Sequence, residues 1–341
     1  MRIPCIGGIH QGVRRISHIF QARALILIYH RVAEFHPDPQ LLCVTPAHFE
    51  EHLEHLCRDY HPISLQALRQ ALAQKCLPQK AVVVTFDDGY IDNLLNAKPL
   101  LEKHEVPATV FVTAGYPGRD RELPSDMLEH CLLQARILPD SLTLDIEGKT
   151  YCWQIDDFKH FDGAWNVTMK IDPSLRHRCY RELHRLLQPL DYAKRHAVLE
   201  TLANWASCPA NARPDRRVLN NGEIRELNNS SLVEIGSHGM SHLVLAAQTD
   251  KMQWKEIYES KQQLEDISGK PVSSFSYPYG GMGDVSRRTI EMVKDAGFEI
   301  ACANIPGTII RQSDQFFLPR YLVRDWNGVE FANRIRVAFN G

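Results

Sequence analysis

Two adjacent carboxylates, Asp87 and Asp88, follow the β-branched run Val82-Val83-Val84-Thr85 and precede Gly89. A buried strand of a parallel sheet has no structural need for two acids at its end, and like charges so close repel. A bound cation is the simplest thing that would hold them there. About 150 residues later the chain carries Ser237-His238-Gly239-Met240-Ser241-His242. Four positions apart, the two imidazoles are expected on one face of a helical turn, near enough to share an ion. One carboxylate and two imidazoles leave a coordination position open for water, as hydrolytic zinc centres require.

The surrounding sequence supplies a frame for these groups. Residues 25–30 read as a first buried strand ending at His30, and Thr45-Pro46 opens a helix through Phe49, Leu53 and Leu56. A short helix over 65–73, the Asp-bearing strand, a helix over 93–104 and a strand over 108–113 follow. That rhythm is the signature of βαβ units and a parallel sheet. It breaks at Gly115-Tyr116-Pro117-Gly118. Residues 117–215 read as an insertion with a helix over 127–138, a polar hairpin over 141–155 around Gly148, and two helical patterns within 174–205. It is expected to pack on the main domain, within a single catalytic domain spanning 1–341, and to shape the mouth of the site. The rhythm resumes with helices over 222–228, 251–268 and 285–296, between strands over 232–236, 273–277 and 300–303.

Composition bounds the function. The chain has 341 residues, 44% hydrophobic and 23% charged, with a formal net charge of −2, ordinary for a globular protein with one large α/β domain. The basic pairs Arg14-Arg15 and Arg287-Arg288 are too small for a nucleic-acid footprint. The 9 cysteines are scattered and odd in number, which points to a reducing compartment rather than a disulfide framework. No run reaches the ~18 apolar residues of a membrane span, and the run over 24–29 is too short for a signal peptide core. A cytoplasmic location is expected. Residues 1–22, with Ile16, Ile19 and Phe20 beside Arg14 and Arg15, could hold the protein peripherally at the inner face of the membrane.

Thr85-Phe86-Asp87-Asp88-Gly89-Tyr90, then Gly236-Ser237-His238 with Ser241-His242, then Phe275-Ser276-Tyr277-Pro278-Tyr279-Gly280, resemble in order and spacing the polysaccharide deacetylases with the NodB homology domain (carbohydrate esterase family four). Leu27-Ile28-Tyr29-His30-Arg31-Val32 and Thr45-Pro46 with Phe49 resemble bacterial members that act in polysaccharide assembly. The resemblance implies a distorted (β/α) barrel of about seven parallel strands, carrying the long insertion. It implies a metal triad of Asp88, His238 and His242, most often holding Zn²⁺, with Co²⁺, Ni²⁺ or Fe²⁺ as alternatives. It also implies Asp87 as general base, the backbone N–H of Tyr279 as an oxyanion donor, and Thr85 and Ser241 as hydrogen-bond partners of the ligands. The substrate implied is an N-acetylated sugar or polysaccharide intermediate, deacetylated by hydrolysis.

Two departures stand out. Ser276 occupies the place where the family's third motif often has an arginine, and Arg320 in Leu318-Pro319-Arg320 is the candidate replacement. No histidine follows His242, so the family's late general acid is absent and His30 or a metal-bound water would protonate the leaving amine. Asp325-Trp326 resembles the fourth motif only loosely and reads better as loop and core. The histidines within 48–61 read as a solvated helix face, and Trp153, Trp165 and Trp205 as core more readily than as a sugar platform. Two other functions remain open: a C–N hydrolase of a small amide or imide, and a non-catalytic carbohydrate-binding relative.

Overall fold

Strand-forming, fully buried runs build one parallel sheet in a computed structural model that describes residues 22–156, 164–209 and 211–340. Its strands are β1 (Ala24–Tyr29), β2 (Ala81–Phe86), β3 (Ala108–Val112), β4 (Val233–Ser237), β5 (Ser274–Ser276), β6 (Ile300–Cys302) and β7 (Tyr321–Leu322). They pair in the order β6-β5-β4-β3-β2-β1-β7, all parallel, and the short strand His61–Pro62 also pairs with β2. The ends of this sheet nearly meet. Tyr321 and Leu322 pair with β1, while Leu318 accepts the N–H of Ala303, just past β6, at 2.9 Å and donates to the carbonyl of Ala301 within β6 at 3.0 Å. The sheet therefore curls into the distorted barrel that the resemblance implies.

Residue parity decides what enters the barrel. Leu25, Leu27, Tyr29, Val82, Val84 and Phe86 face outward into the main core, joined by Phe49, Leu53 and Leu56 of helix α1 (Pro46–Asp59). Ala24, Ile26, Ala81, Val83 and Phe111 face inward, where the helix Leu65–Ala73 seals the space with Leu65, Leu68 and Leu72. Thr85 and Asp87 share the inward parity. Register does the rest, because Tyr29 lies opposite Phe86 and Val112 opposite Ser237. His30, Asp87 and His238 thus emerge together at the carboxyl ends, where parallel α/β folds gather reactive groups.

A second hydrophobic core is built within residues 128–206. It involves helices α2 (Pro124–Glu129), α3 (Leu175–Leu187) and α4 (Tyr192–Trp205), and the hairpin Ser141–Ile146 with Lys149–Gln154. Trp153 and Trp165 are buried in it and Trp205 packs against it, so these rings are core. Helix α2 starts earlier than its apolar spacing suggests, because Pro124 suits a first helical turn, and it runs on into a π-turn at His130–Gln134. Helix α5 (Asp250–Ser268) lies against β4.

One histidine expectation is wrong. His52 is buried, not solvated; its ring stacks on Phe331 with centroids 4.0 Å apart, and Nε2 lies 2.6 Å from the Trp326 carbonyl. His48, on the same helix, pairs with Asp325 at 2.6 Å, which makes Asp325 a structural anchor of the α1 N-terminus, where it also accepts the Thr45 N–H. The eight described cysteines are free thiols. No described helix is long and apolar enough to cross a membrane. The proposed amphipathic stretch at 1–22 lies, but for residue 22, outside the described residues.

Candidate active site

Asp88, His238 and His242 converge, their ligand atoms lying within 4.8 Å of one another. Asp88 Oδ1 is 3.6 Å from His238 Nε2 and 3.3 Å from His242 Nε2. His238 Nδ1 lies 2.8 Å from the Ser276 carbonyl, which can only accept, so the ring proton sits on Nδ1 and Nε2 faces Asp88 with a lone pair. Asp88 Oδ1 is buried and accepts no hydrogen bond among the described residues. A buried, orphaned carboxylate oxygen facing imidazole nitrogens fits a divalent cation, and this donor set suits zinc and its neighbours. Burial pushes the Asp88 carboxyl up, but the imidazoles of His242, His30 and His238 outweigh it and hold the acid below its ordinary range. Burial also lowers His238 to about 4, keeping its ring neutral and able to ligate.

The expected helical turn between the histidines is absent. β4 ends at Ser237 and the chain turns tightly, with Gly239 at φ +73° and His242 at φ +55°. Asp88 (φ +74°) and Tyr279 (φ +61°) share that left-handed backbone, so three non-glycine residues of one site are strained together. Such strain costs on the order of 1–3 kcal/mol each and persists where surrounding structure enforces it. Enforcement is visible. Ala114 and Gly115 donate N–H bonds to Gly239 O and Met240 O at 2.9 and 2.8 Å, and a Cβ on Gly115 would meet Met240 O at 2.3 Å. Glu256 of α5 accepts the Met240 and Ser241 N–H groups at 3.1 and 2.8 Å. Arg195 of α4 donates to the carbonyls of both Ser241 and His242.

Asp87 is held differently. Arg320 donates through Nη1 to Oδ1 at 2.8 Å and through Nη2 to Oδ2 at 2.7 Å. Its remaining N–H groups reach Thr85 Oγ1 (3.2 Å), Ser276 Oγ (2.7 Å) and the Ala303 carbonyl (3.0 Å), so all five donors are used. Ser276 Oγ in turn lies 3.3 Å from Asp87 Oδ2. Burial pushes Asp87 up, but Arg320, with His238 and His30, more than offsets it and keeps the group a carboxylate. Arg320, immediately before the strand that closes the barrel, thus grips Asp87 from beside Ser276.

One cavity of about 240 Å³ joins these groups. Asp87, Asp88, His238, His242, Tyr279 and His30 line it. Tyr279 stacks edge-on against His242 with centroids 4.7 Å apart. Its N–H makes no hydrogen bond among the described residues, while the flanking Gly280 N–H turns back to Pro278 O at 2.7 Å. Gly280 (φ +66°) is required, since a Cβ there would lie 2.7 Å from Asn304 N. The opposite wall comes from Leu123, Ser125, Leu128, His184, Leu187 and Gln188. Burial lowers His30, and it lowers His184 to about 4.

Thr85 and Ser241 do not contact the ligand atoms as expected. The Thr85 hydroxyl donates to Leu27 O at 2.7 Å and serves Arg320, while Ser241 belongs to the Glu256 brace. Arg195, Glu256 and His184 are the residues sequence reasoning missed. A signal existed: Glu256 lies on a buried stripe with Gln253, Ile257 and Ser260, and Arg195 on one with Val198, Leu199 and Leu202. A charge in phase with an apolar stripe needs a buried partner.

Residues 74–132 and 184–301, just over half of the chain, match the family model described as polysaccharide deacetylase. The chain belongs to the polysaccharide deacetylase family. Among curated relatives of this deacetylase-family chain, YxkH of Bacillus subtilis is 31% identical over 126 residues, 36% of this chain and 43% of that one. The poly-β-1,6-N-acetyl-D-glucosamine N-deacetylase of Escherichia coli K12 is 34% identical over 82 residues, 24% of this chain and 12% of the relative. The alignments thus span less than half the length of these relatives. Among solved structures, the Streptococcus pyogenes deacetylase PplD in complex with acetate superposes with a TM-score of 0.57 at 16% identity, covering 92% of this chain and 99% of that one. IcaB from Ammonifex degensii gives 0.56 at 18% identity, covering 93% and 97%. At these identities the likeness concerns the fold, a deacetylase-type barrel.

Proposed function

We propose that this protein hydrolyses the N-acetyl group of an N-acetylated sugar, with Asp88, His238 and His242 holding a divalent cation, Zn²⁺ by preference. The observation that carries the reading is the orphaned Asp88 Oδ1 facing two imidazoles beside a second, arginine-gripped carboxylate. When bound, such a cation polarises a carbonyl and lowers the pKa of water from ~15.7 towards ~7. Asp87 accepts the proton of the attacking water, and Arg320 keeps it anionic and aimed. The free N–H of Tyr279 faces the developing oxyanion. The proton that Asp87 takes up returns to the leaving nitrogen, and His30, in the same cavity at the end of β1 and kept neutral by burial, is placed to relay it.

A mere sugar binder has no use for a base beside a ligand triad, which weighs against the non-catalytic alternative. The small cavity favours a second reading within the same chemistry. At about 240 Å³, walled on one side by Leu123, Ser125, Leu128, His184, Leu187 and Gln188, it lies below the ~300–1,000 Å³ usual for drug-sized ligands. It suits one sugar ring or a small amide better than the middle of a polymer.

Acetate release should be measured with Zn²⁺ or Co²⁺ over oligomeric, lipid-linked and nucleotide-linked N-acetylhexosamines, with small cyclic amides and imides alongside. Release from a hexosamine supports the proposal. Turnover of small amides alone transfers it to the second reading, and no hydrolysis by metal-loaded protein ends both. His30→Ala and His184→Ala, compared on the active substrate, decide which histidine serves the leaving group.

A further inference from the structure

A second cavity, about 670 Å³, opens between α4 and residues 116–122. It backs onto the catalytic one: Leu128 of α2 lines the first and Met127 the second. Arg119 and Arg121 both point an Nη1 donor at one neutral oxygen, Tyr192 Oη, at 3.1 and 2.8 Å. Neither arginine lies within ion-pair distance of a carboxylate among the described residues, because the acids of this wall are committed elsewhere. Glu122 takes Arg213 through two bonds of 2.7 Å, Glu200 faces His196 at 2.9 Å, and Asp120 accepts the Ala212 N–H at 3.0 Å. Having accepted twice, the Tyr192 hydroxyl keeps its own proton to donate. Two guanidinium forks and a hydroxyl without a counter-ion match the geometry of a bidentate oxyanion site.

We propose that this cavity binds a phosphate-type oxyanion between Arg119, Arg121 and Tyr192. Arg195 stands in the same wall and carries the backbone of His242 on its guanidinium, so the anion would sit next to the brace of the histidine loop. The site goes beyond the deacetylation reading and does not depend on it. Its ligand is either free phosphate or the phosphoryl group of a phosphorylated sugar.

The test is calorimetric titration of the full-length, metal-loaded protein with inorganic phosphate and with N-acetylglucosamine 1-phosphate, beside the Arg119→Ala/Arg121→Ala double variant and Tyr192→Phe. Saturable phosphate binding is expected, weakened about tenfold or more in the double variant and less in Tyr192→Phe, with metal content and circular dichroism unchanged. Sugar phosphate binding at least about tenfold tighter than the inorganic ion assigns the site to a phosphorylated substrate, and equal affinities assign it to free phosphate. No saturable binding to the parent protein overturns the proposal. Unchanged affinity in the folded double variant also overturns it, by moving the phosphate to the metal centre; should that variant not fold, unchanged affinity in Tyr192→Phe decides the same way.

Discussion

Arg320 grips Asp87 through two nearly parallel hydrogen bonds, 2.8 and 2.7 Å long, across 233 residues of sequence. Both side chains are buried, so each is costly without the other. The pair fixes where the proposed base points and makes its charge permanent at neutral pH.

Replacing that base should separate binding from chemistry. Asp87→Asn is expected to retain metal and lose about 10³-fold or more in acetate release, read by elemental analysis and steady-state kinetics. Arg320→Ala should destabilise by about 3–5 kcal/mol in urea unfolding, since it strands a buried carboxylate. In an Asp87→Asn background the same change should cost clearly less. Equal costs in both backgrounds would refute the coupling.

The triad makes a different prediction. Asp88→Ala and His242→Ala should each abolish metal retention through dialysis while leaving the fold intact by circular dichroism. Stoichiometric zinc in either purified variant would remove that residue from the ligand set.

The histidine loop is braced by residues that touch no ligand atom. Arg195→Ala and Glu256→Gln should weaken metal affinity about 10- to 100-fold, as loss of supporting contacts does elsewhere. Competition with a chelator measures this directly. A change confined to melting temperature, with metal affinity untouched, would reduce both residues to ordinary packing.

Acid should unfold the protein partly through His52. Burial lowers it to about 4, so the folded state resists a proton that the unfolded chain takes up near 6.5. Its contribution is complete above about pH 6.5 and fades as pH falls towards 4, amounting to roughly 3 kcal/mol at most. Melting temperature should therefore fall across that window. In His52→Phe, which keeps a ring against Phe331, the slope should be shallower even if the starting stability is lower.

Much of this was legible in the sequence, because strands and strand ends are written locally. The buried run Ala81–Phe86 announced itself, and parity carried Asp87 into the barrel. The residues proposed to hold the metal could be picked out by type and order, but the way they come together could not. His238 and His242 meet through a left-handed turn rather than a helix, and nothing in residues 238–242 states that φ. Glu256 and Arg195 impose it from two other helices, so the cause is tertiary. His52 was misread for a related reason: its helix face is decided by Phe331, far along the chain.

The strand that completes the ring also delivers the arginine. A nascent chain can already possess both aspartates and both histidines, yet its would-be base lacks the counter-cation until residues 318–322 dock between the first and sixth strands. The proposed turnover then waits on this docking, and a molecule truncated before Arg320 is expected to be inert however well its remaining elements form.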